Sequence, residues 1–280
     1  MGERSTEVLF ATAPRKALVI MKLFLFANEP DLVRQAISAG IDAVVVDWEN
    51  RGKKDRQQSG DFEINFDTPA TAHMASSLGA TLCVRVNRLG NYTESEIATA
   101  LDCGAKIIMA PMCQGICDVE AFASAISDRA ELFVQIETTE LVDKIDELAN
   151  IPWDYAHIGL NDLKLSRGAA TIWDAVEDGT TESICRKLKG RRFGFGGLTV
   201  VDGGVPVPAR LIIAEMVRLG CSIGVLRRSF KADIKGRSIV SEVAAIRHFI
   251  GNAQARTEGE IINDSTDLIL AIRRASDHIQ

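Results

Sequence analysis

Short apolar runs rich in β-branched residues alternate along the chain with longer stretches in which apolar residues recur at helical spacing and which close on glycine. A parallel strand buried on both faces reads as a continuous apolar run, and a core-facing helix as a periodicity of three to four, so each pair reads as one βα unit. Runs at 22–27, 43–47, 81–87, 106–112, 132–136, 155–160, 192–200 and 222–226 predict eight strands. Helical stretches at 31–39, 68–78, 93–103, 119–127, 140–149, 208–219 and 238–250 alternate with them. Gly40, Gly79, Gly104 and Gly220 stand where a helix end calls for a left-handed residue. Asp31 after Pro30, Thr68 before Pro69, and Thr93 with Glu96 three residues on read as caps or first-turn residues.

Eight such units predict a closed α/β architecture, the (β/α)8 TIM barrel, as a single domain over 1–280 with its core at about 17–252. No Gly-x-Gly-x-x-Gly follows the first run, which argues against an open dinucleotide-binding sheet. Two segments fall outside the repeat. Residues 169–190 are too long for a simple connection and predict a helix joined to a mobile lid, or a partly disordered stretch. Residues 264–278 predict an additional C-terminal amphipathic helix with Leu268, Ile269 and Ile272 on one face, packed on its own barrel or on a neighbouring subunit.

The 280 residues are 46% hydrophobic and 25% charged, as in ordinary soluble globular proteins. A net charge of −6 argues against a nucleic-acid partner. No apolar run approaches the roughly 20 residues that span a bilayer, and the N-terminus lacks a basic region leading into a long apolar core, so the reading is a cytoplasmic protein with no membrane partner. The six cysteines then read as reduced thiols. Cys113-x-x-x-Cys117 lacks the second ligand pair that a structural zinc site needs.

Catalytic groups of such barrels stand at the C-terminal ends of the strands. Those positions hold Asn28 and Glu29, Asp47 and Glu49, Arg85 and Asn87, Pro111 and Gln114, Glu137, and Asp162. Glu137 and Asp162 follow successive apolar runs and would converge on one hard cation such as Mg²⁺ or Mn²⁺; alternatively each caps the helix that follows. Strand alternation puts Arg85 on one face with Cys83 and Asn87. There its planar fork would meet a carboxylate or enolate oxygen, or pair with Asp47 or Glu49, and the two roles are compatible.

The segments "VVVDWEN…KKDRQ", "CVRVNR", "KIIMAPM" and "FVQIETTELVDKIDELANIPWDYAHIGLNDL" resemble, in order and over roughly residues 20–250, the metal-dependent pyruvate aldolase and citrate lyase β-subunit superfamily of HpcH/HpaI type. The most specific parts are Ile-Glu-Thr at 136–138 and Gly-x-x-Asp-Leu at 159–163. The resemblance implies a (β/α)8 barrel, with Glu137 and Asp162 as ligands of Mg²⁺, Mn²⁺ or another divalent cation and Arg85 on the oxo or carboxylate oxygens of a 2-oxo acid. Asp47 and Glu49 join Arg85 as candidate catalytic residues, and Asn28, Asn87, Gly159, Leu160 and Asn161 join it as candidate substrate-binding residues. Trimers or hexamers are implied as well.

One position departs from the pattern. After Glu49 the aldolase branch carries a histidine and the lyase branch an aspartate, whereas this chain has Asn50, a neutral amide that carries no proton between substrate and water. Either another group serves as base, a water on the cation being the simplest, or the reaction does not resemble the usual aldol cleavage. His157 lies an odd number of residues from Asp162 and reads as a packed residue pointing away from it. Gly194, Gly196 and Gly197 read as close-packing glycines or part of a phosphate site, and Arg227, Arg228 and Ser229 as a surface group or a holder of a distal anion. A Schiff base on Lys164 would require its burial. The expected activity is carbon–carbon lysis by a metal-dependent aldolase acting on a 2-oxo acid through an enolate. The alternatives are a citrate-lyase-like enzyme of an acyl-coenzyme A thioester, which Lys53, Lys54 and Arg56 bring to mind, and a non-catalytic metabolite-binding barrel, which Asn50 allows.

Overall fold

A computed structural model gives the fold of residues 20–52, 67–227 and 229–277. Eight strands, β1 (Lys22–Phe26), β2 (Ala43–Asp47), β3 (Leu82–Arg85), β4 (Ile107–Ala110), β5 (Glu131–Ile136), β6 (Tyr155–Ile158), β7 (Phe193–Phe195) and β8 (Ile223–Leu226), pair in parallel, each with its sequence neighbour. β8 returns to pair with β1. A bridge between Leu198 and Leu226 closes the ring, with Leu198 N–H donating to the Val225 carbonyl at 2.8 Å.

Alternation of side chains splits the strand residues between two cores. Phe24, Val45, Cys83, Met109, Phe133, Tyr155 and Val225 fill the barrel. Phe24 meets Phe133 and Tyr155 edge-on at centroid separations of 5.0 and 5.6 Å. The other parity packs beneath the helices. Burial on both faces is why these strands read as unbroken apolar runs.

The helices are α1 (Pro30–Ser38), α2 (Pro69–Ser77), α3 (Thr93–Asp102), α4 (Ile116–Ile126), α5 (Thr139–Asp143), α6 (Ile145–Leu148), α7 (Leu160–Arg167), α8 (Asp174–Glu177), α9 (Thr180–Lys187), α10 (Ala209–Arg218), α11 (Phe230–Asp233), α12 (Ile239–Gln254) and α13 (Glu258–Asp277). The four glycines expected at helix ends all have positive φ, 74° at Gly40 and 93° at Gly104 among them. Thr68 caps α2 in a reciprocal pair with Thr71. Thr93, by contrast, is the first residue of α3, and Glu96 turns away from the helix to bind Asn87.

Several boundaries differ from expectation for local reasons. β7 stops after three residues because Gly196 takes a left-handed φ of 64°. β6 ends at Ile158, and Leu160 opens α7. The segment 169–190 is neither loose lid nor disordered: Asp174 accepts from the backbone of Ala170 and Thr171, and Trp173, Val176, Ile184 and Cys185 are buried. The C-terminal helix starts at Glu258, because Thr257 and Glu260 bond reciprocally at its N-terminus. It packs on its own barrel, with Leu268 and Ile272 fully buried and Arg256 reaching from its base to the Ala214 carbonyl. No helix among the described residues is long and apolar enough to cross a membrane.

Candidate active site

The interior parity that ends in apolar side chains at mid-barrel continues upward into polar ones. Asp47 and Arg85 end β2 and β3 as register partners, Gln135 and His157 pair across β5 and β6, and Glu137 follows β5 directly. A cavity of about 160 Å³ opens among them, lined by Arg85, Gln135, Glu137, His157, Gly159, Leu160, Asn161 and Asp162 and walled by Phe26, Ile172, Trp173, Gly196, Gly197, Val225 and Arg227.

Arg85 is locked from both sides. Its Nε and Nη2 donate to Asp47 at 2.8 and 2.6 Å, Glu49 lies 3.4 Å from Nη1, and the guanidinium carbon sits 5.0 Å from the Phe26 ring centroid. Burial opposes the charge, but Asp47 and Glu49 outweigh it and hold the guanidinium firmly protonated. The ion pair expected as one role of Arg85 is therefore present. Asp67 stands behind it, accepting from Asp47 N–H at 2.8 Å and from Asn28 at 3.0 Å, its carboxyl raised by burial.

Glu137 is fixed by two backbone features. Its Oε2 accepts from Met112 N–H at 3.2 Å, and Met112 is held at φ 55°, a left-handed conformation uncommon for a residue with a side chain. Such strain persists only where the surroundings impose it. Oε1 lies against Gly159 so closely that a Cβ there would be 2.5 Å away. Neither capping alternative holds as written: Thr138 caps α5, and Asp162 sits inside the first turn of α7, where the positive end of the helix favours its charge.

Burial pushes the Glu137 carboxyl well above its usual range, and the nearby charges of Asp162 and Glu49 push it further, with Arg85 pulling back. Two buried carboxylates that destabilise each other's charge are relieved by a cation between them, so the donor set fits a hard divalent ion held by two protein oxygens and otherwise by water and ligand. No cluster of three or more His, Cys, Asp or Glu suited to a metal exists among the described residues, Cys113 and Cys117 included.

Of the sequence candidates, Arg85, Glu137, Gly159, Leu160, Asn161 and Asp162 line one cavity, and Asp47 and Glu49 stand behind Arg85. Asn28 and Asn87 do not line it. Asn28 bridges Asp67 and Lys231, and Asn87 anchors the loop after β2 by accepting from Asn50 N–H at 2.9 Å and Arg51 N–H at 2.8 Å. Asn50 itself is exposed. Lys164 is only half-buried and lies outside the cavity. Lys53, Lys54, Arg56 and Arg228 lie outside the described residues.

His157 is a correction. It points into the barrel, because Asp162 belongs to a helix and strand parity cannot be counted through it to β6. Counted from Tyr155, two residues earlier and inside the barrel, the parity is right. Gln135, Trp173 and Arg227 also line the cavity; Gln135 was readable from its place two residues before Glu137, whereas Trp173 arrives from a connecting segment with no such signal. Gly194 in β7 and Gly197 just beyond it are close-packing residues, a Cβ at 194 falling 2.2 Å from the Ile223 carbonyl oxygen and one at 197 falling 2.6 Å from Arg227 Cβ. A larger cavity of about 770 Å³ lies at the opposite end, where Gly190 and Gly220 lead into β7 and β8, and holds none of the candidate residues.

The family model described as HpcH/HpaI aldolase/citrate lyase matches residues 21–186. No curated protein matches the chain. Among solved structures, the fold is similar to that of citrate synthase SbnG at 19% identity, covering 80% of this chain and 92% of that one with a TM-score of 0.57. It is similar to macrophomate synthase at 15% identity, 82% and 86% coverage and a TM-score of 0.55. RipC from Yersinia pestis is likewise similar, at 15% identity, 87% and 99% coverage and a TM-score of 0.55.

Proposed function

We propose that this chain, which belongs to the HpcH/HpaI aldolase/citrate lyase family, is a divalent-metal-dependent carbon–carbon lyase that makes and uses the enolate of a small 2-oxo acid. The observation that carries this reading is the buried Glu137 and Asp162 pair sharing one small cavity with a permanently charged Arg85. A divalent cation, Mg²⁺ or Mn²⁺, would supply positive charge to the oxygens of a bound 2-oxo acid and to the enolate.

The chain's own residues supply the rest. Asp47 occupies two of the five N–H groups of Arg85, which leaves donors of a rigid fork for the substrate oxygen on which negative charge grows. Because Asp47, Glu49 and Phe26 fix that fork in advance, no reorganisation is needed as the charge develops. Met112 and Gly159 hold Glu137 in one position, and Leu160, Ile172 and Trp173 keep bulk water from the enolate.

The volume of about 160 Å³ is well below the roughly 300–1,000 Å³ of pockets for drug-sized ligands and suits a short acid. A coenzyme A chain would lie outside it. The reading extends to a cytoplasmic homo-oligomer, a trimer or hexamer, whose size sedimentation velocity would report.

The test is exchange of the methyl hydrogens of pyruvate for deuterium, followed by proton NMR in D₂O with Mg²⁺ or Mn²⁺. Exchange is expected with the metal and should vanish with EDTA and in Glu137→Gln. Full exchange in metal-stripped protein would overturn the reading, and binding of 2-oxo acids without exchange would point to a non-catalytic barrel.

A further inference from the structure

Beneath the carboxylate pair the cavity has a polar floor. His157 and Gln135 pair across β6 and β5, and Gln135 precedes Glu137 by two residues. At about 3.3 Å of rise per residue, this layer lies roughly 7 Å below the residue that carries the upper carboxylate. The next layer down, with Phe133 and Tyr155, is apolar, and the Phe133 ring meets the His157 ring edge-on at 6.4 Å.

The tautomer of His157 follows from its neighbour. Nε2 lies 2.7 Å from the Gly196 carbonyl oxygen. A carbonyl oxygen only accepts, so Nε2 carries the hydrogen and Nδ1 carries a lone pair. Burial, with Arg85 nearby, lowers the imidazole pKa to about 4, so the ring is neutral at physiological pH. It is too weak a base there to carry the proton that Asn50 cannot. What it offers is an acceptor.

That acceptor is unused. Nδ1 of His157 and Oε1 of Gln135 are both buried without a hydrogen-bond partner, and both side chains line the cavity. Buried polar atoms nearly always have partners, and a donor that arrives with the ligand would give Nδ1 the one it lacks. A carboxylate or keto oxygen only accepts and would meet the lone pair of Nδ1. The methyl of pyruvate would offer nothing to either atom. A hydroxyl has one hydrogen to donate and would supply what Nδ1 lacks.

We propose that His157 is a specificity-determining residue whose Nδ1 accepts a hydrogen bond from a substrate hydroxyl, so that the site prefers short 2-oxo acids bearing a hydroxyl next to the keto group, 3-hydroxypyruvate being the simplest. The inference rests on the enolate reading for the placement of the 2-oxo acid, but its own test reads hydrogen bonding rather than turnover.

Protein labelled with ¹⁵N-histidine and supplied with Mg²⁺ is titrated with 3-hydroxypyruvate and with pyruvate, and the Nδ1 resonance of His157 is identified by its loss in His157→Phe. The resonance is expected to move upfield with 3-hydroxypyruvate and to stay with pyruvate. By calorimetry, 3-hydroxypyruvate should bind about tenfold more tightly than pyruvate. His157→Phe should erase that ratio, and His157→Asn, which returns an acceptor near the place of Nδ1, should restore part of it. A resonance unmoved by bound 3-hydroxypyruvate overturns the inference, as does a resonance already shifted by a resident water and unchanged by the ligand. Failure of 3-hydroxypyruvate to bind, or a ratio that survives in His157→Phe, overturns it too. Deuterium exchange run in parallel separates the two readings. A responding Nδ1 without exchange sinks the enolate reading and leaves hydroxyl recognition standing, whereas pyruvate exchange with an indifferent Nδ1 does the reverse.

Discussion

Gly159→Ala puts one methyl group against the carboxylate of Glu137, a proposed ligand of the cation. The backbone at 159 has φ −83° and ψ 91°, which alanine adopts freely, so the perturbation is steric rather than conformational. The new Cβ would stand 2.5 Å from Glu137 Oε1 and 2.6 Å from its Cγ, where 3.4 Å is an ordinary contact. The carboxylate must therefore retreat by about 0.8–0.9 Å, and Met112 N–H, which holds its other oxygen, resists the move. Misplacement by about 1 Å costs on the order of 100-fold in rate, and disturbing the support of a metal ligand costs about 10–100-fold in affinity. The expected result is a 10–100-fold weaker Mg²⁺ isotherm, exchange of pyruvate hydrogens slowed by about 100-fold, and a loss of about 1–3 kcal/mol in stability from overpacking. Gly251→Ala is the control, since nothing lies within 4 Å of a Cβ there and the position is helical; it should leave the isotherm alone. Native Mg²⁺ affinity and native exchange in Gly159→Ala would show that Glu137 is not a ligand.

Three further outcomes follow from the same geometry. His157 has a folded pKa near 4 against an ordinary value of 6.5, so the unfolded chain binds its proton first and stability falls as pH drops from 6.5 towards 4. At 1.36 kcal/mol per unit the loss approaches about 3 kcal/mol, and urea melts of His157→Phe should show a shallower acid limb than the parent by about that much; parallel limbs would refute the burial of a neutral ring. Arg85→Lys keeps one charge but loses the fork, leaving the buried Asp47 and Glu49 poorly matched; calorimetric melting should show a loss of about 3–5 kcal/mol, with exchange activity lowered about 100-fold. Thr257→Ala removes the cap of α13 and should cost about 1 kcal/mol, read as faster amide hydrogen exchange over the first turn of that helix with Mg²⁺ binding unchanged.

The repeat was legible because a parallel barrel leaves its mark at every strand: runs such as Ala43–Asp47 are buried throughout, and no polar face blurs them. The residues that line the candidate cavity were legible where a carboxylate or guanidinium interrupts such a run, as at Arg85 and Glu137. What escaped did so for two physical reasons. Strand parity holds only while the chain stays extended, and the helix that opens at Leu160 breaks the count from Asp162 back to His157. Position at a strand end also says nothing about which way a side chain is spent. Asn87 shares the face of Arg85 yet gives its amide to Trp48 and Glu96 and its oxygen to the loop above. The start of α13 was different, since Thr257 and Glu260 are a readable capping pair.

The charges around the cavity explain why the floor must be neutral. Asp47, Glu49, Glu137 and Asp162 are all buried around the cavity, with Arg85 locked against the first two and Arg227 in the wall, and the repulsion between Glu137 and Asp162 is what a cation would relieve. A protonated His157 beneath them would compete for the same carboxylates and repel the cation. Its environment forbids that: the Gly196 carbonyl fixes the hydrogen on Nε2, and burial keeps Nδ1 unprotonated down to about pH 4. Asn50, exposed and with its backbone held by Asn87, carries no charge. On this reading the carboxylates bind the cation, Arg85 meets the oxygen that becomes negative, and the neutral floor is left to sense what else the acid carries. Catalysis and selectivity then occupy different layers of one barrel, so selectivity is open to change at residue 157 without disturbing the layer that holds the metal.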